Sequence, residues 1–220
     1  MAYKVNYEDL IIDLYIFDKL ERSSGNMSTA KLLFLFEEDL YKKNMIGSHY
    51  PMIRHQMGPY NSQIGIHIKN LALNGYLNHE ESYFDKIKKN TLIISKNSNT
   101  TKFLKNIDEL IQEYTKVFTI LDDIINEFGK MNAEELKDYI YTLKEVGRFN
   151  ISIKDYPMYK IILNPSDLNN PTSEFKLDKI WYDTVEVLLN PKILLSLKSG
   201  IKDIQYGKFT FSKIMSINFK

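Results

Sequence analysis

The chain has 220 residues, 44% of them apolar, with 29 basic and 28 acidic side chains and a formal charge of +1. That length carries one large domain, or one domain with a smaller appendage, and supplies enough apolar matter for a sizeable core. Near-neutrality excludes an overall field drawing the protein to nucleic acid or an acidic membrane, and the absence of cysteine removes disulfides, thiolate metal sites and cysteine nucleophiles together.

Tyr7 to Leu20 carries Leu10, Ile11, Leu14, Phe17 and Leu20 in three- and four-residue steps, a helical stripe. Glu21 to Asn26 ends it. A second helix starts at Met27-Ser28, with Ser28 as N-cap, and runs to about Lys43. Its centre is apolar almost all round, which predicts burial on several sides. Asn44 to His49 is a connector. Pro51 to Met57 is extended and turns hard at Gly58-Pro59. From Tyr60 a further helix begins, capped by Asn61 or Ser62, with Ile64, Ile68 and Leu71 along one side and Ile66 and Leu73 beside them. Asn74-Gly75 stops it. Tyr76–Phe84 and Thr91–Ser95 then pair as a hairpin across Asp85–Asn90, which completes the helix–wing order of winged-helix domains.

Ser98 to Phe128 reads as one long helix or two broken ones, ended by Gly129. Asn132 caps a helix from Ala133 to Leu143, with Glu135 placed for a capping box. From Gly147 the character changes, and prolines at 157, 165 and 171 forbid any long helix. Leu177 to Leu189 is a short helix around Trp181, closed by Asn190-Pro191. The fold class is mainly α with a small β-hairpin (α+β): a winged-helix-like helical domain over 1–146, then a C-terminal extension over 147–220 that offers a partner-binding segment.

No residue pattern carries catalysis, and no cofactor or metal is implied. His49, His55, His67 and His79 form no HExxH and no i, i+4 pair, so they read as solvated or singly bonded. Phosphate-loop and nucleophile-elbow motifs are absent. Glu37-Glu38-Asp39 points three ways from a helix and reads as a solvated face. Lys86, Lys88, Lys89 and Lys96, with Lys102 and Lys105, mark a possible nucleic-acid face on the wing and the helix after it. The candidate recognition helix adds only Lys69 as a cation, and the other reading is a solvated, lysine-rich hairpin. Fifteen tyrosines and twelve phenylalanines fill a core or anchor a protein interface.

The order KLLFLF, connector, extended run, MGPY, helix, LxxxGYL resembles the SocA-like antitoxin domain, also called Panacea, over residues 5–145. Lys31-Leu32 and Leu35 stand where that family has its KL helix motif. Gly58-Pro59 stands at its turn, Met57 where an aromatic is usual, and Tyr60 follows. Ser196 to Ile214 is similar to the closing segment of many small bacterial antitoxins, with Gly200, Asp203, Ile204 and Gly207-Lys208 in the pattern. The resemblance implies an antitoxin that neutralises a toxin by direct protein–protein binding, with Tyr206, Phe209, Phe211 and Met215 as partner contacts. The alternatives are a winged-helix DNA-binding regulator and a phage-borne inhibitor of a host defence protein. The first segment lacks a signal-peptide pattern and no run reaches about 18 apolar residues, so a soluble, cytoplasmic protein with no membrane partner is expected.

Overall fold

The helix that reads as apolar all round becomes the centre of the molecule's first unit. In the computed structural model, which describes residues 6–206 apart from 21, 24 and 85–88 (backbone only for 81–84 and 89–91), every residue from Ser28 to Glu38 is buried. This helix, α2 (Asn26–Lys42), follows α1 (Tyr7–Leu20) and the short strand β1 (Arg22–Ser23). It starts one turn earlier than expected, with Gly25 at the N-cap, so Ser28 lies inside the first turn instead of capping it.

Next come β2 (Met45–Ile46), β3 (Met52–His55) and β4 (Gly58–Tyr60), then α3 (Ser62–Leu73). Asn61 is the N-cap of α3, its side chain accepting from the Gln63 N–H at 2.8 Å. The C-terminal stop is a Schellman motif, with Gly75 at φ +78, its N–H on Ala72 O and the Tyr76 N–H on Leu71 O. The hard turn falls earlier than the sequence suggested. Gln56 and Met57 form it, and Gly58-Pro59-Tyr60 is a strand in antiparallel register with β3, Arg54 facing Pro59. Proline is tolerated there because β4 is an edge strand and owes no N–H to a further neighbour.

The hairpin β5 (Leu77–Phe84) and β6 (Lys89–Lys96) pairs over its whole length, and β1 adds to β6, giving sheet order β1-β6-β5. With α1, α2 and α3 this is the winged-helix order, opened between α2 and α3 to admit the β3–β4 hairpin. The segment Ser98–Phe128 folds as three helices, α4 (Ser98–Asn106), α5 (Asp108–Glu113) and α6 (Thr115–Phe128). Non-helical backbone at Ile107 and Tyr114 breaks the run. The capping box at Asn132 and Glu135 opens α7 (Ala133–Ile140).

Residues 147–178, grouped with the C-terminal extension on composition, belong by contact to the first unit. The strand β7 (Ile161–Leu163) extends β3 to make a sheet β4-β3-β7, and β8 (Ser173–Glu174) lies parallel to β2. Phe175 is fully buried, its ring 5.3 Å from Phe118 and 5.1 Å from Tyr114. The division into two compact units falls between Asp178 and Lys179. The second unit holds α8 (Lys179–Leu189) and α9 (Pro191–Gln205), the latter N-capped by Asn190 and continuous through Gly200. Phe209, Phe211 and Met215 lie outside the described residues.

Two glycines separate conformational need from lack of space. Gly147 (φ +64) lies against the Ile162 carbonyl, where an added Cβ would collide with that oxygen and stand 2.8 Å from the Tyr156 hydroxyl. Gly58 (φ +98) has ordinary contacts at 3.6 Å and beyond. Gly147→Ala is therefore expected to cost about 3 kcal/mol or more and Gly58→Ala about 1–2 kcal/mol, read as urea midpoints with unchanged m-values. Equal costs would contradict this account.

Candidate functional site

The motif residues of the KL helix and the Gly-Pro hairpin meet in the interior. Lys31 is fully buried on α2, its ammonium 3.4 Å from Met27 O, and Leu32 is buried beside it. Gly58 crosses the Lys31 stem, and Pro59 is buried while Tyr60 is half-buried. Burial and then the charge of Lys137 bring Lys31 down to about 8. These five residues pack the hairpin onto α2 and offer no open site.

A second buried cluster corrects the reading of the acidic run. Glu37 and Glu38 are buried, and only Asp39 is half-exposed. Glu37 Oε1 accepts from the Ser48 N–H at 2.5 Å and Glu38 Oε2 from the Gly147 N–H at 2.9 Å. The acids of α1 act alike: Asp9 Oδ1 accepts from the His49 N–H at 2.7 Å and Glu8 Oε1 from the Leu177 N–H at 2.9 Å. Burial pushes Glu37 up to about 8, so it is largely a neutral acid at pH 7. Burial would lower His49, but its hydrogen bond to Asp9 and that residue's charge outweigh this and raise it.

Beside this lies a closed triad. The Tyr50 hydroxyl donates to Asp13 Oδ2 at 2.7 Å and lies 2.5 Å from His67 Nδ1. With that proton given to Asp13, the tyrosine oxygen accepts from Nδ1–H, which sets the tautomer. Asp13 is raised by burial, against the hydrogen bond and charge of His67. His67, expected to be solvated or singly bonded, is instead part of this core node. All three side chains are almost wholly enclosed, at 0%, 1% and 2% exposure for Asp13, Tyr50 and His67. Among the described residues there is no group of three or more His, Cys, Asp or Glu able to hold a metal, and no helix long and apolar enough to cross a membrane.

The outward faces carry what remains. On α3 the exposed residues are Ser62, Ile66, Lys69, Asn70 and Leu73, an apolar pair with one cation. Lys69 and Leu73 line an open depression of about 510 Å³ with Leu77, Asn78 and Glu80. Lys96 is engaged, donating to Asp18 O at 2.8 Å and pairing with its carboxylate at 3.6 Å. Lys86 and Lys88, and the side chain of Lys89, lie outside the described residues. Of the wing cations, Lys96 alone is described in full, and its ammonium is held by Asp18.

Two apolar faces are exposed, the first without a signal in the sequence and the second within the C-terminal segment expected to bind a partner. At one end of the β4-β3-β7 sheet, Met57 in the β3–β4 turn, Met158 and Tyr159 in the turn before β7, and Ile161 at its start are exposed. Tyr159 sits at φ +62, uncommon for an aromatic residue, with its N–H on Arg54 O and its ring against the His55 edge. In the second unit, α9 has no buried residue although Ile193, Leu197, Ile201 and Ile204 are all apolar. Tyr206 follows, 74% exposed.

The raised acids predict a pH dependence. Glu37 holds its proton up to about pH 8 when folded and only to about 4.5 when unfolded, so folding binds a proton between these values. Stability is therefore fully present below the unfolded pKa and is lost as pH rises through the folded one. Glu37→Gln keeps an acceptor for Ser48 N–H and cannot ionise. Its stability relative to wild type should grow from pH 5 to pH 8 by on the order of a few kcal/mol, measured by urea unfolding at both values. A constant difference would refute the assignment.

No known protein-family profile, curated protein or solved structure matches this chain.

Proposed function

We propose that the protein neutralises a protein partner, a toxin, by direct binding in the cytoplasm, as an antitoxin of the SocA-like kind, and performs no reaction of its own. The observation that carries this reading is α9. Leu194, Leu197, Ile201 and Ile204 recur at steps of three, four and three, one stripe of a helix, and no residue of that helix is buried. A stripe of this kind is how an amphipathic helix enters an apolar groove. Interfaces of about 800 Å² per partner, centred on a few anchors, suffice for a stable complex. The enclosed state of Asp13, Tyr50 and His67 supports the same reading, since a reactant has no path to them.

The winged order of α1–α3 with sheet β1-β6-β5 favours a second reading, a DNA-binding regulator. It is weakened by Ile66 and Leu73 on the outward face of α3, where a major groove wants polar donors and acceptors.

The test is coexpression with the product of the adjacent reading frame. That product alone should arrest growth and this chain should restore it. Leu197→Asp with Ile201→Asp should abolish rescue while the circular dichroism spectrum is unchanged. Full rescue by that double variant would place the interface elsewhere. Steeply salt-dependent binding to an operator duplex without any rescue would favour the regulator instead.

A further inference from the structure

A cavity of about 470 Å³ opens where the end of α1, β1, the first turns of α2, β6 and the α6–α7 turn converge. Its size falls in the range of small-molecule sites. Two cations line it, Arg22 from β1 and Lys130 from the α6–α7 turn. Both are exposed, and neither has an ion-pair partner among the described residues. No carboxylate stands among the described lining residues. Among the described residues these two cations line one space with no carboxylate, a lining that favours an anionic ligand.

The remaining lining agrees with such a ligand. Ser23 lines the wall, its buried hydroxyl 3.4 Å from Thr29 Oγ1. Asn132 spends its Oδ1 on the N–H groups of Glu134 and Glu135, which leaves its Nδ2 donors for a ligand. The α2 N-terminus at this cavity has a glycine N-cap, with no side-chain oxygen and no acid in its first turn, so its own residues leave the positive end of its dipole uncapped. Beneath the polar rim, Leu32 and Met131 form part of an apolar floor. A bare inorganic anion uses the rim alone, whereas a phosphorylated molecule with a flat apolar body uses rim and floor together.

We infer that this cavity is a binding site for a small phosphorylated ligand of the nucleoside monophosphate class, its phosphoryl group held between Arg22 and Lys130 and its base on the Leu32–Met131 floor. The site is separate from α9 and does not depend on the proposed partner function. The anion sets the contact with both cations, and the guanidinium of Arg22 suits a bidentate grip on phosphate oxygens.

Isothermal titration of the full chain at low salt with AMP, with inorganic pyrophosphate as competitor, tests this. One saturable site is expected, and pyrophosphate should displace AMP. Arg22→Ala and Lys130→Ala should each weaken AMP binding about tenfold or more. Both residues are exposed, so the variants should fold; Lys130→Gln serves as the milder change, expected to weaken binding in the same direction. Lys102→Ala and Lys105→Ala, exposed on α4 away from the cavity, should leave it unchanged. Absence of AMP binding, equal loss in the α4 variants, or binding of a short DNA duplex without any binding of AMP would each overturn the proposal.

Discussion

The first unit depends on carboxylates of its first helix pair reaching backbone N–H groups far away in sequence. Glu8, Asp9, Glu37 and Glu38 accept from Leu177, His49, Ser48 and Gly147. These four N–H groups belong to a connector and to a proline-punctuated arm with little regular secondary structure of their own. Backbone donors in such segments, when buried, need partners outside a ladder. Side-chain acceptors on a rigid helix pair supply them and fix where each segment crosses. The same burial that makes the bonds strong disfavours the charges, which is why Glu37 is pushed up to about 8 rather than remaining an ordinary carboxylate.

The Asp13–Tyr50–His67 node extends this arrangement to α3. Tyr50 ends the connector, Asp13 projects from α1 and His67 from α3, so one hydroxyl ties three segments. Immediately after Tyr50 the chain enters the β3–β4 hairpin, and Asn61 holds it from the other side, its amide donating to Pro51 O at 2.7 Å while its oxygen caps α3. Register between hairpin and helix is set by polar contacts at both ends. The packing of Gly58 over the Lys31 stem closes the space between. The residues with the greatest chemical potential in this chain are therefore spent on holding it together.

Local signals were legible wherever the determinant is local. The Asn61 cap, the Asn74-Gly75 stop and the Asn132–Glu135 capping box all depend on residues within four positions of each other. The misreadings have separate causes. Glu37-Glu38 was taken for a solvated face because its partners, Ser48 and Gly147, lie beyond any local window, the latter more than a hundred residues away. Residues 147–178 looked like an appendage because short strands that complete distant sheets carry almost no periodicity. Gly58-Pro59 looked like a turn because its dipeptide preference is real, yet an edge strand satisfies it equally. The Arg22–Lys130 cavity had no signal at all, since its two cations are far apart in sequence and meet only through tertiary packing.

The second unit poses the opposite physical situation. Its α8 buries Val185 and Leu189, whereas no residue of α9 is fully buried and Leu194 is only half-buried. A helix of about 15 residues is marginal in water on propensity alone and is ordinarily stabilised by burying one face. The exposed part of the stripe, Leu197, Ile201 and Ile204, adds a solvation cost of roughly 25 cal/mol per Å² left in water. A helix with that pattern makes energetic sense when another surface covers the stripe. In the proposed complex, binding would supply the burial that the unit lacks by itself and couple helix order to partner affinity, so that mutations weakening one would weaken the other. This coupling separates α9 from α3, whose outward Ile66 and Leu73 sit on a helix already held by Ile64, Ile68 and Leu71 in the core.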